Sequence, residues 1–198
     1  ARQLAEIART GAGASCAQVM QVRERDERLM PRRAEELLSG RGPGPFIERK
    51  ADAHIMSLLV SASLLPVVGL FDETLKVYED FDWMVRLLCV AEFCRVGAPV
   101  GRYEYTPGSL FKFSGYEKML ARDEMQQKAV LGVRAKCGDA PTWDEGAWRR
   151  RAAQDYDQFI KHRLYAGDLE GARRYYDKAL SLGAPADMLK GARRKMRK

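Results

Sequence analysis

Between Phe81 and Ala91, five apolar side chains (Phe81, Met84, Val85, Leu88 and Ala91) return at a spacing of about 3.6 residues. The spacing predicts a helix over 81–92. A helix with such a stripe must bury it against a second layer of structure. Asp80 stands just ahead, in N-cap position. Asp82 and Arg86 form an i,i+4 acid-to-base pair, worth about 0.2–0.5 kcal/mol on an isolated helix. The flanking segments supply the second layer. Residues 16–23 (CAQVMQVR) read as a buried strand, and 54–63 as a strand or a strand entering a turn. Residues 93–105 read as one or two strands broken at Gly97 and Pro99. A short helix over 64–70 is expected to end at Gly69, and an amphipathic one over 1–9 at the glycines of 10–14. Residues 24–38 are highly charged, and 39–45 read as a loop. The pattern is α/β.

A chain of 198 residues suits one domain, or one domain with an appendage. Its 46% apolar content is ordinary for a globular core, and mean hydropathy is −0.40. No apolar run reaches the roughly 18 residues of a membrane span. The four cysteines, Cys16, Cys89, Cys94 and Cys137, include no C-x-x-C pair, and only His54 and His162 could join them. Neither a structural zinc nor a disulfide framework is expected, and reduced thiols suit a cytoplasmic protein. Six cations and no anion occupy 190–198; taking those six from the net charge of +7 leaves +1 for the rest. The basic character belongs to the tail, read as a frayed, solvated end. It leaves peripheral membrane contact open. A nucleic-acid groove is not expected, because that needs a basic face on the fold itself.

Residues after Ser114 read as mostly helical. A hairpin of helices is predicted over 152–165 and 169–182, joined by Ala166, Gly167 and Asp168. Its small/aromatic spacing matches one helix pair of a tetratricopeptide array. One unit cannot bury the faces of a solenoid, so this is an appendage. The expected division is 1–135 and 136–198. The opening on Ala1, already inside a helical pattern, suggests a piece of a longer protein.

Five acids lie between positions 72 and 82: Asp72, Glu73, Glu79, Asp80 and Asp82. Acids at a helix start sit near the positive end of its dipole, which favours the carboxylate a general base needs. A structural account also exists, and spacing alone favours it. Asp80 caps, Asp82 pairs with Arg86, and the others are solvated. On a helix i and i+2 lie about 200° apart, so Asp80 and Asp82 could share one cation only if Asp80 lies just outside the helix.

The stretch Val68-Gly69-Leu70-Phe71-Asp72-Glu73, followed by Tyr78-Glu79-Asp80-Phe81-Asp82-Trp83 and Arg86, resembles the acceptor-side half of family 2 glycosyltransferases. These are inverting enzymes of the GT-A fold, with a G-x-F-D-E element, a spacer, then E-D-x-D and a helix carrying an arginine. The resemblance implies a partial GT-A-like fold, a mixed sheet with flanking helices, followed by the C-terminal helical extension. Tyr103 and the residues to Leu110 resemble the family's terminal Y-x-x-H-P-G-S, with Thr106 where histidine is expected. The strands and early D-x-D of the nucleotide-binding half have no counterpart in the sequence.

The resemblance makes Asp80 the base, with Glu79 beside it. Asp82, Trp83 and Arg86 would serve the acceptor, while Asp72 and Glu73 fix the turn before them and Phe71 lies in the core. Packing beneath the helix equally accounts for Trp83, and pairing with Asp82 for Arg86. No metal ligand is assigned in this chain. The intact enzyme would use a nucleotide-sugar donor, Mg²⁺ or Mn²⁺, and a saccharide or lipid-linked acceptor. Self-association stays open. His54 reads as a structural histidine and His162 as exposed. Tyr175 and Tyr176, beside Arg173 and Arg174, read as a packing face. The competing reading is a non-catalytic helical interaction module with a basic C-terminal tail.

Overall fold

The computed structural model describes residues 2–23, 26–104 and 115–196. Strand β1 (Ala14–Arg23) is the spine of the sheet, and its first six residues are all buried. Continuous burial of this kind marks a strand covered on both faces. Helix α1 (Arg2–Thr10) lies over β1 on one side. It ends at Gly11, whose φ of +73° needs a glycine, as the stop signal predicts.

β1 turns back into β2 (Asp26–Met30), with Val19 opposite Met30 and Arg23 opposite Asp26. The charged run hid this strand. It sits at the sheet edge, where exposed charges are tolerated and discourage further pairing. Strand β5 (Glu92–Glu104) runs parallel to β1, from Ala14 opposite Phe93 to Val22 opposite Glu104. The break expected at Gly97 and Pro99 is a slip in register between Val96 and Gly101, and the strand resumes beyond it. Proline cannot donate to the ladder, so the bulge absorbs it.

β3 (Gly40–Arg41) pairs antiparallel with the start of β5, and β4 (Leu59–Val60) with the start of β1. The spatial order is β2-β1-β5-β3, with β4 also beside β1. The result is an open mixed sheet of α/β type. The strand expected over 54–63 shrinks to β4 between two short 3-10 turns. A short α2 (Gly44–Ile47) falls inside the 39–45 loop and its continuation, and α3 (Leu65–Val68) ends at Gly69 as expected.

α4 (Glu79–Val90) is buried on more than the predicted stripe. Met84, Leu87 and Leu88 pack with Ala14, Cys16 and Phe93 of the sheet. Phe81 and Val85 pack with Ala129, Val130 and Val133 of α5 (Tyr116–Cys137). Trp148 of α6 (Glu145–Tyr165), fully buried, joins that second core and donates its Nε1–H to the Val130 carbonyl at 2.7 Å. α6 pairs with α7 (Leu169–Ser181), as the hairpin predicts, although α6 begins earlier. Tyr156, Phe159 and Ile160 of α6 pack with Ala172, Ala179 and Leu189 in a third core. Tyr175 stacks into the same cluster.

The expected division after residue 135 falls in the last turn of α5, which packs directly on α4. The basic tail is not a frayed end through residue 195. It forms α8 (Lys190–Lys195), with Ala192 buried against α6. No helix among the described residues is long and apolar enough to cross a membrane.

Candidate functional site

The start of α4 differs from expectation in one respect. Asp80 does not cap the helix. The N-cap is Tyr78, at φ +67° and without a side-chain cap bond. Asp80 sits in the first turn, and its Oδ1 accepts the Phe81 N–H at 2.7 Å. Its Oδ2 has no protein partner among the described residues. Asp80 is half-buried and lines two adjoining cavities, of about 480 and 290 Å³. Glu79 and Phe71 line the larger of these, and His54, Ile55 and Tyr103 line both.

Two residues on, the chain does the opposite. Asp82 is fully buried, with Oδ2 held by Arg86 at 2.9 Å and Oδ1 by Lys136 Nζ at 2.7 Å. Arg86 spends its other donors on the carbonyls of Val68 and of Leu70, the latter at 2.8 Å. Trp83 is buried and donates Nε1–H to the Gly69 carbonyl at 2.9 Å. These bonds tie the 68–70 turn to the inner face of α4. They leave Asp82, Trp83 and Arg86 off the walls of both cavities. The three residues expected at the acceptor are therefore turned inward.

Phe71 is corrected in the opposite sense. It is not core: it is 45% exposed, stacks on Trp83 at 5.4 Å and presents its ring to the larger cavity. Phe71, rather than Trp83, presents its ring to this cavity, and Trp83 backs it. Asp72 fixes the turn that follows. Its Oδ1 accepts from the Thr74 backbone (3.0 Å) and hydroxyl (2.6 Å), and its Oδ2 pairs with Lys136 at 2.8 Å. Lys136 and Thr74 hold the Asp72 carboxyl well below the usual carboxylate range. Glu73 is exposed.

His54 is structurally tied, as expected, accepting the Met56 N–H on Nδ1 at 3.3 Å and lying 5.1 Å from the Tyr103 ring. It also shares both cavity walls with Asp80. Burial pushes its pKa down; Asp52 and Asp80 only partly oppose this. Neither His54 nor Tyr103 carries a signal that would place it at Asp80 from sequence. Their proximity follows from the pairing of β5 beside β1, 78 residues after β1 begins.

His162 is not exposed as expected. Its Nδ1 lies 2.8 Å from Asp123 Oδ2, and its side chain is mostly covered. Thr106 and the rest of the Y-x-x-H-P-G-S segment from 105 lie outside the described residues.

The carboxylates at the α4 start do not fit a divalent cation. Both Asp82 oxygens are taken by cations, and Asp80 opens on another side of the helix. No three potential metal ligands converge among the described residues. Comparison with family models, curated proteins and solved structures finds no match.

Proposed function

We propose that this chain is the acceptor-side half of an inverting glycosyltransferase of the family 2 type, with a partial GT-A-like fold. Donor recognition and the Mg²⁺ or Mn²⁺ that accompanies it belong, on this reading, to a nucleotide-binding half that these 198 residues do not contain. The observation that carries the reading is the position of Asp80. One carboxylate oxygen is oriented by the first turn of α4, and the other, without a partner among the described residues, faces a cavity beside a mixed sheet. A general base needs that combination of fixed orientation and open access.

The saccharide or lipid-linked acceptor lies against Phe71, with its hydroxyl toward Asp80 Oδ2. As the hydroxyl oxygen attacks the anomeric carbon, Asp80 takes its proton. The bond from that carbon to the diphosphate breaks on the opposite face, and the nucleoside diphosphate leaves with the electron pair. Glu79 lines the same cavity without a side-chain partner among the described residues, where it can orient a second acceptor hydroxyl. Arg86 and Asp82 act by holding the turn that carries Phe71, rather than by touching the acceptor.

The test uses the enzyme that carries this segment and follows nucleoside diphosphate release from a panel of UDP- and GDP-sugars. Asp80→Asn abolishes release and leaves the thermal midpoint unchanged. Turnover retained by that variant removes Asp80 from the chemistry. The 198-residue chain alone binds the same donors weakly in calorimetry, and tight binding would overturn the assignment of the donor site to another half.

A further inference from the structure

A cavity of about 700 Å³ shares Tyr78 and Phe81 with the cavities at Asp80, but Asp80 does not line it. Three arginines reach its wall, and each is engaged within the protein. Arg49 Nη2 (3.0 Å) and Arg151 Nε (2.7 Å) share the buried Asp155. Arg122 donates its Nε to the Tyr78 hydroxyl at 2.9 Å, one of several contacts it makes. These cations do not call for an added anion.

What the wall leaves open is neutral. The Tyr78 hydroxyl accepts from Arg122, so its own proton goes to Gln126 Oε1, at 2.7 Å. That bond fixes which way the Gln126 amide is turned, because an NH₂ group could not accept the proton. Gln126 Nε2 is then left without a partner, in a side chain that lines the cavity and is only 5% exposed. A buried donor in this state has given up its hydration for nothing, and native structures seldom keep one idle. One turn earlier on α5, Asp123 Oδ2 lies 2.8 Å from His162 Nδ1. In the neutral ring the carboxylate holds the proton on Nδ1 and leaves Nε2 as an acceptor. Gln158 Nε2 approaches it at 3.5 Å, the long limit of a hydrogen bond. His162 and Gln158 line the same cavity. So do Arg49 (φ +60°) and Tyr78 (φ +67°), whose left-handed backbones are of the kind that clusters at ligand clamps.

We propose that this cavity binds a neutral aromatic carboxamide. Its carbonyl oxygen accepts from Gln126 Nε2, its N–H donates to His162 Nε2, and its ring lies among Tyr78, Phe81, Tyr116 and Met119. A carboxamide presents one acceptor and one donor side by side, the complement of what the wall offers. Gln126 stands three residues from the aspartate that holds His162, which puts the two groups on one side of α5. A mostly apolar, aromatic lining with a few converging polar groups is the usual form of a small-molecule site. The site stands apart from sugar transfer, since none of its binding groups is Asp80 or Glu79. A failure here leaves the reading of Asp80 untouched.

Titration of the isotope-labelled 198-residue chain with benzamide at pH 7.5, followed by NMR, tests the proposal. Benzamide binds and moves the side-chain NH₂ signals of Gln126. It binds at least about tenfold tighter than acetophenone, which lacks the N–H, and than benzoate, which carries a charge instead. Gln126→Glu keeps an acceptor for Tyr78 but removes the NH₂, and it weakens benzamide about tenfold. Should the fold not tolerate that carboxylate, the three ligands on the parent chain decide alone. Absence of binding, unmoved Gln126 signals, acetophenone or benzoate held as tightly as benzamide, or full affinity in a folded Gln126→Glu variant would each overturn the assignment.

Discussion

Replacing Asp82 with asparagine tests whether this carboxylate anchors the α4 start or serves a ligand. Asp82 has no exposed side-chain surface, and both oxygens are engaged. Asparagine keeps the shape, loses the charge and turns an NH₂ toward one of the two cations. Breaking a buried ion pair from one side costs about 3–5 kcal/mol. Two features put Asp82→Asn near the low end. Arg86 is 14% exposed and keeps its bonds to the Val68 and Leu70 carbonyls, and Lys136 is 36% exposed and keeps Asp72. The expectation is about 3 kcal/mol. With an m-value of about 2 kcal/mol/M in urea, the unfolding midpoint falls by roughly 1.5 M. Lys136→Met, which removes the more solvated partner, costs about 1 kcal/mol. Urea denaturation followed by circular dichroism reads both. A midpoint for Asp82→Asn within about 0.3 M of the parent, roughly 0.6 kcal/mol at that slope, would refute the anchoring role.

Burial holds the His54 pKa below its usual value. The unfolded chain therefore takes up a proton near pH 6.5 before the folded one does, and stability from this residue falls as pH drops below about 6.5. His54→Gln flattens the decline in thermal midpoint between pH 7 and pH 5; an unchanged slope refutes the assignment. Gly132, inside α5 with nothing within 4 Å of an added Cβ, gains about 0.5–1 kcal/mol on substitution by alanine. Gly171→Ala gives no such gain, because its Cβ would stand 2.1 Å from Asp168 Oδ2 and displace the bond that caps α7; equal thermal midpoints for the two variants would count against this. Burial pushes the Cys16 thiol up to about 12, and it donates to the Leu38 carbonyl at 3.2 Å. It resists iodoacetamide at pH 8 until the protein is denatured, and native-state labelling, read by mass spectrometry, would contradict its burial.

Elements whose side-chain period matches a single covered face were legible in the sequence. The stripe of α4 and the α6–α7 hairpin are of this kind, while β1, covered on both faces, was legible from Val19, Met20 and Val22 lying in one short run. β2 was not, because an edge strand of charged residues carries no apolar alternation. Neither was the second buried face of α4, since Trp83 and Leu87 fill positions that a one-sided helix would leave to solvent. The exposure of Phe71 escapes a sequence reading for a related reason. The residue follows Gly69, whose φ of +75° redirects the chain, and irregular backbone has no period from which inward and outward can be read. The arginine-rich cavity was invisible altogether, since Arg49, Arg122 and Arg151 meet only after α5 and α6 have packed on α4 and α2.

The 200° between successive alternate residues of a helix excludes a shared metal ion at Asp80 and Asp82. The same angle lets the pair divide its labour. One carboxylate can be driven into the core, where two cations and two backbone carbonyls fix the helix start, only if the other points elsewhere. Asp80 is thereby delivered to the cavity on a first turn that cannot slide, because Asp82 is tied to the 68–72 turn through Arg86 and Lys136. The E-D-x-D spacing is then a mechanical requirement. Inserting one residue between Asp80 and Asp82 would rotate Asp80 by about 100° away from the cavity while Asp82 stayed buried. Such a variant keeps the core and, if Asp80 is the base, loses transfer as completely as Asp80→Asn. Transfer surviving the insertion would mean that the acceptor proton leaves by another group.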